Sequence, residues 1–246
     1  MDRRLIAHRG EPLHWPENSL RGFRAVLAAG ACYLETDVQI TLDRTPVLSH
    51  DDSLLKMTGR DLPVTQTRLA DVLALPAGQP ARFGARFASE RIPTLGAFAA
   101  LLAQWPEARA FVEIKLASIQ AFGVEAVVDL ILDALDPVRA QCIPISFEYP
   151  ALQYLRANTG LPLGWVLPGY SDANRMLADR LAPEYLFVNR RHVPRASASL
   201  WPGAWRWAAY TANRPAEVER LFTRGFDLVE TNDIRRLMHS LKGQTA

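Results

Sequence analysis

The sequence predicts an α/β protein folded as a (β/α)8 TIM barrel with a small insertion after the second strand, and three observations lead there. Short runs rich in branched and aromatic residues alternate with longer segments of helical periodicity. Eight such β-type runs occur, where an open doubly wound sheet ordinarily stops at about five or six strands. The chain has 246 residues, close to the roughly 250 that a closed barrel uses. One domain over residues 1–246 is therefore expected.

The elements follow in order. Leu5–Ala7 is a short apolar strand closed by His8. Ser19–Ala29 reads as a helix, with Ser19 as N-cap and Gly30 just beyond its end. Tyr33–Ile40 is the second strand. From Asp51 to Arg91 the alternation lapses, and Pro63, Pro76, Gly78, Pro80 and Gly84 punctuate a stretch without a clear strand. This predicts an insertion over about 51–91 that serves the site, as long inserted loops on such scaffolds do. Ala110–Ile114 resumes the strands, and Ile119–Leu135 carries Phe122, Val127, Leu130, Ile131 and Leu135 near helical spacing. Strands are then expected near Gln141–Ser146, Leu163–Val166, Tyr185–Val188 and Arg206–Tyr210. Pro215–Thr223 is a helix with Pro in its first turn and Gly225 after its end. Asp227–Glu230 is the last strand.

Composition narrows the function classes. With 49% hydrophobic and 22% charged residues the chain can bury a sizeable core. A net charge of +2 without a block of like charges implies neither nucleic acid nor an anionic membrane as partner. Cys32 and Cys142 lie in apolar surroundings and form no C-x-x-C pair, so both are expected reduced and buried. Leu5-Ile6-Ala7 is shorter than the roughly 7–15 apolar residues of a signal peptide. No run approaches the roughly 18 apolar residues of a membrane span. A cytoplasmic protein without stable membrane insertion is expected. Trp201, Trp205 and Trp207 are expected to pack in the core, and the sequence leaves the oligomeric state open.

The chemistry gathers at strand ends. Glu35 and Asp37 stand in Tyr33-Leu34-Glu35-Thr36-Asp37-Val38, two apart and therefore on one face, about 6.6 Å apart along the strand. Two carboxylates on a half-buried face repel unless a cation neutralises them. Glu113 ends the next strand and adds a third, and catalytic groups of barrels collect at strand C-termini. Three oxygen ligands with no thiolate point to a hard divalent ion, Mg2+ or Ca2+. His8 and His50 each close a strand-like segment at the presumed active end and suit an acid–base pair. Arg9 and Lys115 put positive charge beside them, Arg9 able to hold a phosphate bidentately and Lys115 as a point charge.

Taken together, His8-Arg9-Gly10, Pro16-Glu17-Asn18-Ser19, Glu35-Thr36-Asp37-Val38, His50-Asp51 and Glu113-Ile114-Lys115 resemble the ordered signature of glycerophosphodiester phosphodiesterases. The similarity runs on through Arg91-Ile92-Pro93-Thr94-Leu95 and Ser146-Phe147 to Thr231-Asn232-Asp233 and covers nearly the whole chain. It implies a barrel with an insertion after the second strand and a divalent metal held by Glu35, Asp37 and Glu113. His8 and His50 would be the acid and base, Arg9 and Lys115 the phosphate contacts, and Glu17 and Asn18 supports behind them. The activity implied is hydrolysis of small-molecule glycerophosphodiesters to glycerol 3-phosphate and an alcohol. The alternatives are a lysophospholipase D-like activity on lipids keeping one acyl chain, or a silent phosphodiester binder. The former would need an apolar channel, for which Phe83, Phe87 and Leu75 are candidates although a small core suits them better. Where the family usually reads Trp-Thr-x-Asn, this chain has Tyr210-Thr211-Ala212-Asn213, and the usual Thr-Asp is stretched to Thr231-Asn232-Asp233.

Overall fold

A computed structural model describes residues 4–194 and 200–242. The strands expected from the sequence form β1 (Leu5–His8), β2 (Tyr33–Ile40), β4 (Arg109–Ile114), β5 (Cys142–Ser146), β6 (Gly164–Val166), β7 (Tyr185–Asn189), β8 (Arg206–Tyr210) and β9 (Leu228–Thr231). All eight run parallel, and the ring closes because β1 pairs with β2 on one side and with β9 on the other. Parallel closure leaves no open edge along the cylinder.

One strand lies outside the ring. β3 (Pro46–Leu48) runs antiparallel to β2, Val38 facing Leu48. The sequence places His50 at the end of a strand, but that strand is this hairpin arm and not a barrel stave. The insertion that follows is also better ordered than its Pro and Gly content suggests. It contains α2 (Leu55–Thr58), a 3-10 turn at Val64–Gln66, α3 (Leu69–Ala74) and α4 (Pro80–Phe83). Val47, Leu54, Met57, Val64, Val72 and Ile92 give it a core of its own.

Around the ring lie α1 (Leu20–Ala28), α5 (Leu95–Leu102), α6 (Leu116–Phe122), α7 (Val124–Leu135), α8 (Tyr149–Asn158), α9 (Asp172–Leu181), α10 (Pro215–Thr223) and α11 (Ile234–Lys242). Ser19 caps α1 as expected, its hydroxyl accepting from Gly22 N–H. The single helix expected over Ile119–Leu135 is broken. Gly123, at φ 83 and ψ 156, turns the chain between α6 and α7 in a conformation essentially reserved for glycine.

Side-chain parity divides each stave. Leu34, Val38 and Ile40 of β2 point outward and pack with Phe23, Val26 and Phe98 of the helical layer. The inner layer holds Ile6, Phe111, Ile143, Tyr185, Phe187 and Leu228, with Tyr33 against them. Phe111 is its hub, its ring 5.0 Å from Tyr185, 4.9 Å from Phe187 and 5.7 Å from Tyr33. The barrel floor is thus filled by apolar side chains, and the polar and charged groups gather at the mouth above it.

The three late tryptophans are buried as expected, Trp201 stacking on Tyr170 at 4.1 Å and standing 5.7 Å from Trp207. Cys142 is buried and Cys32 only partly so, and both are free. Among the described residues no helix is long and apolar enough to cross a membrane.

Candidate active site

On three staves the inward positions one step above the apolar floor are acidic. On β2 the face that begins with Tyr33 continues with Glu35 and Asp37. On β4 the face that carries Phe111 continues with Glu113, and on β9 the face that carries Leu228 continues with Glu230. Strand register brings them level, His8 opposite Glu35 and Asp37 opposite Glu113. Oxygen atoms of Glu35, Asp37 and Glu113 lie within 4.8 Å of one another. All three residues are buried.

Each predicted site residue reaches this mouth. Asp37 Oδ2 accepts from Asn18 Nδ2 at 3.0 Å and lies 2.9 Å from Arg9 Nε, an ion pair whose N–H is not aligned as a hydrogen bond. Lys115 Nζ stands 3.3 Å from Asp37 Oδ1 and donates to Glu113 Oε1 at 2.8 Å. Asn18 Oδ1 in turn accepts from Thr36 Oγ1 at 2.9 Å, which fixes the amide's orientation. Glu17 touches Arg9 at 3.7 Å and takes both its short contacts, 2.8 and 2.7 Å, from Lys56 of the insertion. Arg9 and Asn18 both have left-handed backbones, φ 49 and 56. They are held there because Arg9 N–H donates to Glu35 O and Asn18 N–H to Arg9 O, each at 2.9 Å. Such conformations cost energy and cluster at functional sites.

The charges do not balance within the protein. Burial pushes the Glu35 carboxyl well up, and Asp37 and Glu230 push it further. Glu113 is raised by burial and by Asp37. Glu230 is pushed up to about 8 by burial, against the pull of Arg9. Burial works against Asp37 too, yet Arg9, Lys115, His50 and the Asn18 hydrogen bond outweigh it and hold that carboxyl below the usual range. Two buried oxygens, Glu35 Oε1 and Asp37 Oδ1, accept no hydrogen bond. Buried acceptors are rarely left so. Convergent hard oxygens with unmet valence fit a magnesium- or calcium-like ion.

The histidines flank this set at different depths. His8 Nδ1 faces Asn232 Oδ1 at 2.5 Å and its Nε2 lies 3.2 Å from Glu230 Oε1. Burial and the neighbouring Arg9 lower its pKa to about 3, so the ring is neutral. His50 is partly exposed, and Asp51 Oδ1 at 2.7 Å from its Nδ1 leaves Nε2 free. Both rings line one cavity of about 110 Å3, with Arg9, Lys115, Phe147, Phe187 and Tyr210. Tyr210 therefore keeps an aromatic at the position where the sequence pattern departs.

Glu230 and Asn232 are functional candidates that sequence reasoning missed. Their signal was present, since Glu230 closes the last predicted strand as Glu113 closes the third, but nothing local ties either to His8, 224 residues away from Asn232. Phe83, Phe87 and Leu75 line neither of the two cavities that His8 borders. Phe83 and Phe87 pack edge to face at 5.1 Å, and Leu75 lies against the insertion core.

The sequence model of the Glycerophosphoryl diester phosphodiesterase family matches residues 8–236. A glycerophosphodiester phosphodiesterase of Caldanaerobacter subterraneus subsp. tengcongensis is 28% identical over 247 residues, covering 97% of each chain. A putative glycerophosphodiester phosphodiesterase of Bacillus subtilis is 28% identical over 233 residues, covering 93% of each. Among solved structures, an Oleispira antarctica phosphodiesterase in complex with the product sn-glycerol-3-phosphate superposes with a TM-score of 0.85. It is 23% identical and covers 97% of this chain and 96% of its own.

Proposed function

The chain belongs to the glycerophosphoryl diester phosphodiesterase family and is a phosphoric diester hydrolase, and we propose that it cleaves glycerophosphodiesters to glycerol 3-phosphate and an alcohol by metal-assisted acid–base catalysis with two histidines. One observation carries this reading. Three carboxylate side chains converge within 4.8 Å, two of their oxygens accept no hydrogen bond, and His8 and His50 line the cavity beside them. The product complex of the Oleispira relative is consistent with the same small-molecule substrate class.

Glu35, Asp37 and Glu113 would hold a Mg2+ or Ca2+ ion, which when bound polarises the phosphoryl oxygens as a Lewis acid. Arg9 and Lys115 bind the phosphate through N–H groups not committed to the carboxylates and stabilise charge that grows on its oxygens. Asp51 holds the hydrogen of His50 on Nδ1, so Nε2 meets substrate. Asn232 fixes the His8 ring in the same way. One ring removes a proton from the attacking hydroxyl, either water or the substrate's own glycerol. The other, in its doubly protonated form, gives the proton on Nε2 to the leaving alcohol. Glu17 and Asn18 keep Arg9 and Asp37 in place. The filled floor below excludes bulk water from one side of the reacting phosphate.

The test is an assay of purified protein on glycerophosphocholine and glycerophosphoethanolamine. Chelation should abolish turnover and Mg2+ or Ca2+ should restore it. His8→Ala and His50→Ala should each lower kcat by about 10²–10⁴. Metal-independent turnover, or wild-type rates in both variants, would overturn the mechanism.

A further inference from the structure

A glycerophosphodiester has one fixed arm, glycerol, and one variable arm, the alcohol. The mouth offers two spaces of unequal size for them. The cavity of about 110 Å3 between the histidines is small and set into the barrel. A second, of about 500 Å3, adjoins it and shares His8 and Arg9 as walls. Its outer walls come from the insertion and the loop after β1, with Leu13, Leu55 and Pro80 as apolar surface and Lys56, Gln79 and Arg82 as polar groups. The smaller space suits the arm that never varies, and the larger suits the one that does.

We propose that this outer cavity is the leaving-alcohol subsite and that it selects a polyhydroxy alcohol, of the glycerol or inositol kind, over choline and ethanolamine. The inference rests on the hydrolase reading above and adds the substrate class. Gln79 carries it furthest. The residue is 2% exposed, and its side-chain carbonyl oxygen accepts no hydrogen bond. Its backbone is left-handed at φ 51, where glycine would be cheaper. The unpaired acceptor belongs to a residue of the cavity wall but is itself shielded, so a turn of the side-chain amide is what lets it meet a hydroxyl that arrives with the substrate.

Lys56 and Arg82 are donors, while Glu17 and Asn232 line the cavity with acceptors already engaged by Lys56 and His8. Lys56 spends two contacts on Glu17 and has a third N–H. Arg82 is exposed, lies over the Phe83 ring at 4.7 Å, and has no carboxylate partner among the described residues. A polyol both donates and accepts and so answers all three. A trimethylammonium group does neither, and sites that select it use aromatic faces. Among the described residues no Phe, Tyr or Trp lines this cavity. An ethanolamine ammonium could donate to Gln79 but would meet two like charges, Lys56 and Arg82, while the Glu17 carboxylate is already taken by Lys56 and Arg9.

The experiment compares kcat/KM of the Mg2+-loaded enzyme on glycerophosphoglycerol, glycerophosphoinositol, glycerophosphocholine and glycerophosphoethanolamine. The polyol substrates should exceed the two aminoalcohol substrates by about tenfold or more, chiefly through KM. Gln79→Leu and Arg82→Glu should narrow that ratio at least about fivefold. Arg82 is exposed, so Arg82→Glu reads the charge effect even if Gln79→Leu perturbs folding. Equal rates, a choline preference, or an unchanged ratio in Arg82→Glu would overturn the inference while leaving the hydrolase reading intact. Failure to cleave any of the four substrates with either ion would overturn both.

Discussion

Asp37 is the residue on which the mouth converges: Arg9, Lys115 and Asn18 all end on its two oxygens. Removing the Asn18 amide leaves a buried acceptor short of a donor. Asn18→Leu should therefore cost about 1–3 kcal/mol of stability, read as a lower denaturation midpoint. It should also weaken the ion about 10–100-fold, read by calorimetric titration of Mg2+ or Ca2+. Glu230 gives a pH signature. Its folded pKa of about 8 lies above the ordinary value of 4.5, so the folded state keeps a proton that the unfolded state has released. That contribution is complete below pH 4.5 and is lost as pH rises towards 8. His8, lowered from 6.5 to about 3, has the opposite slope, but only below 6.5. Between pH 6.5 and 8 the ion-free protein should thus lose stability as pH rises, at up to about 1.4 kcal/mol per pH unit from Glu230. Glu230→Gln should lessen that slope in a series of thermal melts, Glu35 and Glu113, also raised, keeping their own share. An unchanged slope would show that Glu230 does not hold the proton. At this scale the candidate site is legible in the sequence wherever its residues lie close along the chain. His8, Glu35 and Glu113 follow apolar residues directly, His50 stands one residue beyond Val47-Leu48 and Asp37 two beyond Glu35, and parity alone aims the carboxylates inward. Asn232 was illegible because its partner stands at the other end of the chain.

Among the elements, β3 and the insertion stand apart, since they place His50 and wall the outer cavity without belonging to the barrel. They are fastened by Leu48 N–H donating to Pro93 O at 2.9 Å and by the small core around Ile92. Ile92→Ala should cost about 2–5 kcal/mol if that core cannot collapse. It should lower kcat more than it raises KM for phosphate-ester substrates, because His50 rides on the element it loosens. Wild-type kcat in a destabilised but folded Ile92→Ala protein would separate His50 from this support. The insertion was recognisable from its Pro and Gly spacing, whereas its short helices were not, because four to six residues are too few to show a period. Gly123 is the converse case. A helical hydrophobic pattern continues straight across it, and only the backbone angle reveals the break. Open space surrounds the position a Cβ would take, so Gly123→Ala isolates the conformational cost, about 1–3 kcal/mol by equilibrium unfolding.

For the molecule as a whole, the closed ring explains why so much of the fold could be read in advance. Eight β-type runs, 246 residues and right-handed parallel connection leave few alternatives. What could not be read is the pairing across the seam. There, Glu11 accepts from Arg235 N–H at 3.0 Å and from its guanidinium, His14 meets Asp233 at 3.1 Å, and His8 meets Asn232. Until β9 takes its place between β1 and β8 the slot beside β1 is open and His8 has neither Asn232 nor Glu230 to face, so the surroundings of that ring exist only once the cylinder is shut.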